Sequence, residues 1–302
     1  MAVATPAACA LLPNEPRILD AARQHALTQR YLLAHRQDVE ALFLSLRRSV
    51  DEPLQRACPE RRGKAYPLGQ CLEISQAVIR RLATLTPAEL ASAPRRGLRE
   101  LQNFHRAGGC IRQVWGDLRG EYFQNALLVG TLYVDVSNDT VDRQKPPVEI
   151  LPFADARLMP LADYRHFQRV AARYWQGRFF PNHALPELAA YFPLLYVADD
   201  GLVQCQSTSD YMLALNAREG FRPAEDVLGD APINARLFTA LRKLLLPLIK
   251  GWPLDPGVGR AMALQCCRRA RAGEPPMGRD EAVRTALKIN RELSGYRIGL
   301  DR

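Results

Sequence analysis

The chain has 302 residues, of which 47% are hydrophobic and 24% charged, so it fits one large domain or two modest ones. This composition excludes collagen-like, coiled-coil and disordered chains, and a chain of this length forms a core without disulfides or metals. Its formal net charge is +9, from 41 basic and 32 acidic residues. The basic residues lie in five small clusters: Arg47–Arg48, Arg61–Arg62–Lys64, Arg80–Arg81, Arg95–Arg96–Arg99 and Arg268–Arg269–Arg271.

The seven cysteines form no C-x-x-C pair, which favours a reducing compartment and argues against a structural zinc site. Phosphate-loop and dinucleotide fingerprints are absent, so neither a cofactor nor a metal is expected. The segment 1–15 lacks a basic start and contains Pro6 and Pro13, which predicts a disordered leader instead of a signal peptide. No stretch approaches the roughly 20 apolar residues of a membrane span. We expect a cytoplasmic protein without a membrane partner; a bacterial effector exported without a cleavable signal would have the same features.

Apolar periodicity predicts four helices before residue 108, at about 17–33, 36–57, 71–85 and 95–107. Pro53 is expected to kink or end the second of them. A basic loop at 58–70, punctuated by glycine and proline, precedes the third helix. Ile74, Val78 and Leu82 fall on one face of that helix and are expected to pack on the strands that follow.

The pattern then changes to β-rich segments separated by glycines, at 110–119, 121–130 and 131–137, with a further short strand at 148–151. Helices return at about 160–175, 209–219, 231–250, 257–272 and 279–293, around a predicted hairpin at 192–207. This order predicts an α+β fold, with a helical N-terminal part, a central antiparallel β-meander packed on the Cys71 helix and a helical C-terminal part. We expect an α+β core over 16–207 and a helical subdomain over 208–302.

One stretch carries chemistry: Tyr66–Pro67–Leu68–Gly69–Gln70 leads into a helix that begins at Cys71. Unpaired N–H groups and the positive end of a helix dipole both favour a thiolate over a thiol. A glycine-containing loop before the helix lets backbone N–H groups approach an oxyanion. Cys71 is therefore a candidate nucleophile, and the alternative is a small apolar residue that packs the start of the helix.

Over about 66–140, the order of a helix that opens with cysteine, a strand ending FQNALLVG and a strand TLYVDVS resembles the transglutaminase-like superfamily of cysteine acyl-transfer enzymes. The resemblance implies Cys71 as nucleophile, Asp135 as the carboxylate that orients a histidine, and Gln70 or the backbone at Cys71 as oxyanion donors. At the position of the family's histidine this chain has Gln124 or Asn125, and an amide cannot act as a general base.

A histidine from elsewhere in the chain would be needed to complete such a site. His105 precedes the meander on a helix, His166 lies on an amphipathic helix, and His183 lies in a loop, where functional residues concentrate. Each also has a plain structural interpretation as a helix-end, helix-face or loop residue.

Three functions follow from these patterns. The first is a cysteine-dependent acyl-transfer or amide-hydrolysing enzyme that uses Cys71 on a protein or small-molecule acyl substrate. The second is a catalytically inactive member of the same fold that acts as a binding or accessory protein. The third, which rests on the net charge alone, is a basic protein that binds nucleic acid or an acidic partner.

Overall fold

The computed structural model describes residues 10–61, 63–206, 209–247, 249 and 251–299. It divides into two compact units, Met1–Pro160 and Leu161–Arg302. Of the leader expected over 1–15, residues 1–9 lie outside the described part, while Leu12 and Glu15 are buried. The fold is α+β, as predicted, with helical N- and C-terminal parts and a central antiparallel sheet.

In the first unit the helices are α1 Ala21–Leu27, α2 Arg36–Ala57, α3 Cys71–Thr84, α4 Ser92–Arg106 and α5 Phe153–Ala156. Its strands are β1 Glu60–Arg61, β2 Lys64–Ala65, β3 Ile111–Leu118, β4 Tyr122–Val129, β5 Leu132–Asp135, β6 Glu149–Pro152 and β7 Leu158–Met159. The strands β3 to β7 form one antiparallel sheet in the order β6-β5-β4-β3-β7, and β1 pairs with β2 in a small separate hairpin.

The helix α2 shows that one of the two effects expected of Pro53 does not occur: the proline does not end the helix, which continues to Ala57. A proline in a helix removes one backbone donor and crowds the carbonyl four residues earlier. Here the one lost bond is that from residue 53 to the Ser49 carbonyl, and the helix continues to Ala57. The predicted helix 17–33 is less regular: α1 ends at Leu27 and continues as a π-helical turn over Thr28–Leu32.

The core of the first unit lies between the helices and one face of the sheet, and this arrangement confirms the packing expected for the Cys71 helix. Ile74 and Val78 of α3 are fully buried in one cluster with residues of β4 and β5, and Leu82 packs against it. The strand residues in that cluster are Leu127, Val129, Leu132, Val134 and Val136.

The second unit contains the helices α6 Tyr164–Trp175, α7 Pro186–Ala189, α8 Asp210–Arg218, α9 Arg222–Leu228, α10 Ala235–Leu245, α11 Pro256–Arg271 and α12 Arg279–Leu293. Its antiparallel sheet has the order β10-β9-β8, formed by β8 Gly177–Pro181, β9 Leu194–Ala198 and β10 Val203–Cys205. The hairpin β9–β10 was predicted, whereas β8 and α9 were not.

The observed division at Pro160 differs from the boundary expected at 207. The reason is that β8, β9 and β10 pair with one another and with no strand of the first unit among the described residues. They pack instead with helices that follow Pro160: β8 lies against α6 and β10 against α12. Rings of Phe167, Trp175, Phe179 and Tyr196 stack edge to face or tilted at the junction of α6 with this sheet.

No helix within the described residues is both long enough and apolar enough to span a lipid bilayer.

Candidate functional site

Cys71 is the first residue of α3, at the end of the loop that was expected to precede it. Gly69 in that loop has φ of +74°, a conformation that side chains rarely adopt, and its N–H donates to the carbonyl of Thr140 at 2.9 Å. The burial of Ile74 and Val78 against β4 fixes the rotation of α3. The Cys71 side chain is thereby directed to the strand residue Asn125.

The amide of Asn125 is the direct polar neighbour of the thiol. Its Nδ2 lies 3.6 Å from Cys71 Sγ. Its Oδ1 accepts a hydrogen bond from Gln113 Nε2 at 3.0 Å, so the NH₂ group is the end turned to the sulfur. Ser75 Oγ donates to the Asn125 carbonyl at 3.1 Å and ties α3 to β4 at this point. An amide in this orientation donates a hydrogen bond to sulfur and cannot take a proton from it.

The electrostatic setting does not activate the thiol. Burial raises the pKa of Cys71, and the negative charge of Asp135 raises it further, whereas the hydrogen bond from Asn125 and the charge of Arg61 lower it. Cys71 nevertheless remains partly accessible to solvent. The site therefore holds a thiol beside an amide donor, with a raised pKa, in a residue that is partly accessible to solvent.

Asp135 lies on the opposite face of the sheet from Cys71. The pair Leu128↔Tyr133 sets the register of β4 and β5, and successive strand residues alternate between faces. Asp135 consequently shares a face with Tyr133 and Gln124, while Asn125 shares the α3 face with Leu127 and Val134. The structure does not bring Asp135 and the thiol together as a catalytic triad requires.

The Asp135 carboxylate is satisfied locally. Gln124 Nε2 at 2.6 Å and Tyr133 Oη at 2.9 Å donate to Oδ2, and the Ser137 N–H at 2.8 Å and Oγ at 3.0 Å donate to Oδ1. Burial raises the pKa of Asp135 to about 6, and these hydrogen bonds lower it in part. Gln124 Oε1 is buried with no hydrogen-bond partner among the described residues.

The two candidate histidines are engaged elsewhere. His105 is exposed near the end of α4, with Nδ1 3.3 Å from the Gly109 carbonyl, at the end of β3 remote from Asn125. His183 is buried in the second unit, where Nδ1 accepts from the Ile233 N–H at 3.1 Å and Nε2 lies 3.0 Å from the Leu228 carbonyl. Burial lowers the pKa of His183, and its two backbone contacts suit a neutral imidazole.

His166, the remaining alternative, lies in the first turn of α6, where Nδ1 accepts from the Ala162 N–H at 3.3 Å. Across the described residues, no hydrogen bond joins a histidine to Cys71 or to Asp135.

Gln70, expected as an oxyanion donor, is fully buried. Its Nε2 donates to the Cys58 carbonyl at 3.0 Å, and its backbone N–H donates to the Pro67 carbonyl at 3.1 Å. One of the two Nε2 hydrogens and the backbone N–H are therefore used within the loop 58–70. Its Oε1 is buried without a partner among the described residues and is an acceptor, which cannot stabilise an oxyanion.

Sequence reasoning missed a second polar centre in the same unit, built on Arg47. Only 2% of this side chain is exposed, and its guanidinium binds Asp51 at 2.7 Å and both carboxylate oxygens of Asp139 at 2.7 and 3.0 Å. The signal was present in the sequence, because Arg47 follows Phe43 by four residues and precedes Val50 by three, on the apolar stripe of α2. Within the described part of the chain, no group of three or more histidine, cysteine or acidic side chains is arranged to hold a metal ion.

Compared with known proteins, the chain matches no family model, no curated protein and no solved structure.

Proposed function

We propose that the chain is a catalytically inactive relative of the transglutaminase-like superfamily that acts as a binding or accessory protein. The observation that carries the proposal is Asn125, whose amide occupies the place beside Cys71 where acyl transfer needs a base. The raised pKa of Cys71 and the location of Asp135 on the other face of the sheet agree with it. The cysteine that opens a helix packed on an antiparallel meander supports the resemblance.

Labelling with iodoacetamide tests this proposal, because the thiolate is the reacting form. The rate at Cys71, followed by mass spectrometry across pH, is expected to be no faster near neutral pH than at Cys58 or Cys110, which are also partly accessible. A rate at Cys71 about tenfold above both would contradict it.

A pair of variants locates the cause. Asn125→His introduces an imidazole at the base position, and Asn125→Ala removes the amide without adding a base. If the lack of a base is what keeps the site silent, only the histidine variant is expected to speed labelling of Cys71 near neutral pH. Equal rates in both variants would mean that burial, and not the missing base, controls the thiol.

The second candidate is the cysteine-dependent acyl-transfer enzyme itself, favoured by the location of a partly accessible Cys71 in the first turn of α3. It requires a base that none of the described contacts of Cys71 supplies. Fast, pH-independent labelling of Cys71 in the unmodified chain is the result that would favour it.

The third candidate, a basic protein that binds nucleic acid or an acidic partner, is favoured less than the other two. It rests on charge alone, and every basic cluster contains an arginine that is already ion-paired. The pairs are Arg47 with Asp51 and Asp139, Arg61 with Glu73, Arg81 with Glu89, Arg96 with Asp38, Arg99 with Glu100, and Arg268 and Arg271 with Glu225. A guanidinium held by a carboxylate is less available to a phosphate. Binding to nucleic acid that survives about 0.2 M salt would reinstate this candidate.

A further inference from the structure

A pocket of about 370 Å³ opens beside the Arg47 centre in the first unit. Its lining includes Arg47, Asp51, Tyr66, Asp139 and Arg143, and it does not include Cys71. The pocket is largely open to solvent, and its volume lies near the lower end of the range for small-molecule sites, which suits a small ligand. The pocket is therefore separate from the Cys71 thiol.

The walls of the pocket are held in place by buried and partly buried hydrogen bonds. Arg47 donates to both Asp139 oxygens, to Asp51 Oδ1 and to the carbonyls of Val136 and Pro147. Tyr66 Oη donates to the same Asp51 oxygen at 2.5 Å. Since Arg47 and Asp139 satisfy each other, neither presents an uncompensated charge to a ligand.

Two groups of opposite charge remain available in the lining. The Asp51 contacts to Arg47 and Tyr66 both use Oδ1, so among the described residues its Oδ2 has no protein partner. Arg143 is exposed and donates one hydrogen bond, to the Tyr66 carbonyl, and no described carboxylate pairs with it. One anionic and one cationic group thus line the same small space, each with unused hydrogen-bonding capacity.

We propose that this pocket binds a small zwitterion, an amino acid or a dipeptide, with its ammonium group at Asp51 and its carboxylate at Arg143. Carboxylates accept from ammonium groups, and the guanidinium fork matches a carboxylate in two parallel hydrogen bonds. Four charged side chains of the lining sum to zero, which disfavours a multiply charged anion or a metal cation. Tyr66 and Arg47 already hold Asp51 in place, so ligand binding does not have to order the acidic side of the pocket.

The test uses the full chain and isothermal titration calorimetry at neutral pH with L-alanyl-L-alanine. Two blocked forms are titrated in parallel: the N-acetyl dipeptide, which lacks the ammonium group, and the dipeptide amide, which lacks the carboxylate. We expect the dipeptide, or free L-alanine if the shorter span fits better, to bind at least about tenfold more tightly than either blocked form.

Arg143→Gln is expected to weaken binding of the unblocked ligand about tenfold and to abolish the preference over the amide. Arg48→Gln is the matched control, since Arg48 is exposed on α2 outside the pocket lining, and it is expected to bind as the parent chain does.

Three results would overturn the proposal: no binding of dipeptide or alanine up to about 10 mM, equal binding of blocked and unblocked forms, or unchanged binding by Arg143→Gln. The comparison of blocked ligands uses only the parent chain, so it decides the matter even if a variant misfolds. Because the pocket does not include Cys71, its outcome is independent of the labelling experiment.

Discussion

Replacement of Asp135 by asparagine is expected to change how the stability of the first unit depends on pH. The carboxyl is fully buried and is bound by neutral donors only, from Gln124, Tyr133 and Ser137. Burial raises its pKa from 3.8 to about 6. Between these two values the folded chain holds a proton that the unfolded chain releases, so stability falls as pH rises through this window.

The magnitude follows from the size of the shift. Two pH units at about 1.4 kcal/mol each correspond to about 3 kcal/mol of stability present below pH 4 and lost above pH 6. Asparagine has nearly the same shape but does not titrate. Its Nδ2 can donate to Gln124 Oε1, the oxygen that is buried without a partner, after rotation of the Gln124 amide.

The assay is urea unfolding of both chains from about pH 4 to about pH 7, with hydrogen exchange of the β5 amides as a local measure of the same unit. The stability of the parent chain minus that of Asp135→Asn is expected to fall by about 2–3 kcal/mol across this range. Glu149→Gln serves as the control, because Glu149 is the acidic residue paired with Asp135 on β6 and its side chain is partly exposed. A difference that stays flat, or that rises with pH, would refute the argument from burial.

Two further substitutions test the packing. Ile74→Ala is expected to destabilise the chain by about 2–5 kcal/mol because Ile74 is fully buried. Leu72→Ala, on the same helix, is expected to cost within about 1 kcal/mol because that side chain is 38% exposed. If denaturant melts reversed this order, α3 would be rotated. Arg47→Ala is expected to lower the stability by about 3–5 kcal/mol because Asp139 loses its buried partner. Arg96→Ala removes one side of an exposed ion pair and is expected to lower the stability far less. Equal effects in thermal melts would contradict the interpretation of the Arg47 contacts as a buried ion pair.

The sequence predicts the helices and the meander because these depend on local patterns. The stripe on α3 and the glycine turns of the meander each lie within a few residues, and the structure confirms both. The strand β8 was missed for the opposite reason. Gly177–Pro181 is short, ends in proline and becomes a strand only by pairing with β9, which lies beyond α7.

The candidate site depended on which side chains face the same side of the sheet, and a short motif does not determine this. A two-residue turn at Gly130–Thr131 pairs Val129 with Leu132, and counting back from that pair puts Asn125 and Asp135 on opposite faces. The register that this turn sets places Asp135 on the face of the sheet away from the thiol. The partners of His183 could not be predicted, because Leu228 and Ile233 lie 45 and 50 residues away.

The Arg47 centre has a consequence for synthesis on the ribosome. Its acceptors Val136, Asp139 and Pro147 follow Arg47 in the chain by 89, 92 and 100 residues. At about 5–20 residues per second, they are translated roughly 5–20 s after Arg47 itself. Until then the guanidinium has only Asp51 as a partner and stays in water, so α2 cannot bury it. The Arg47 centre of the nascent first unit therefore cannot form until the segment 136–147 has been translated.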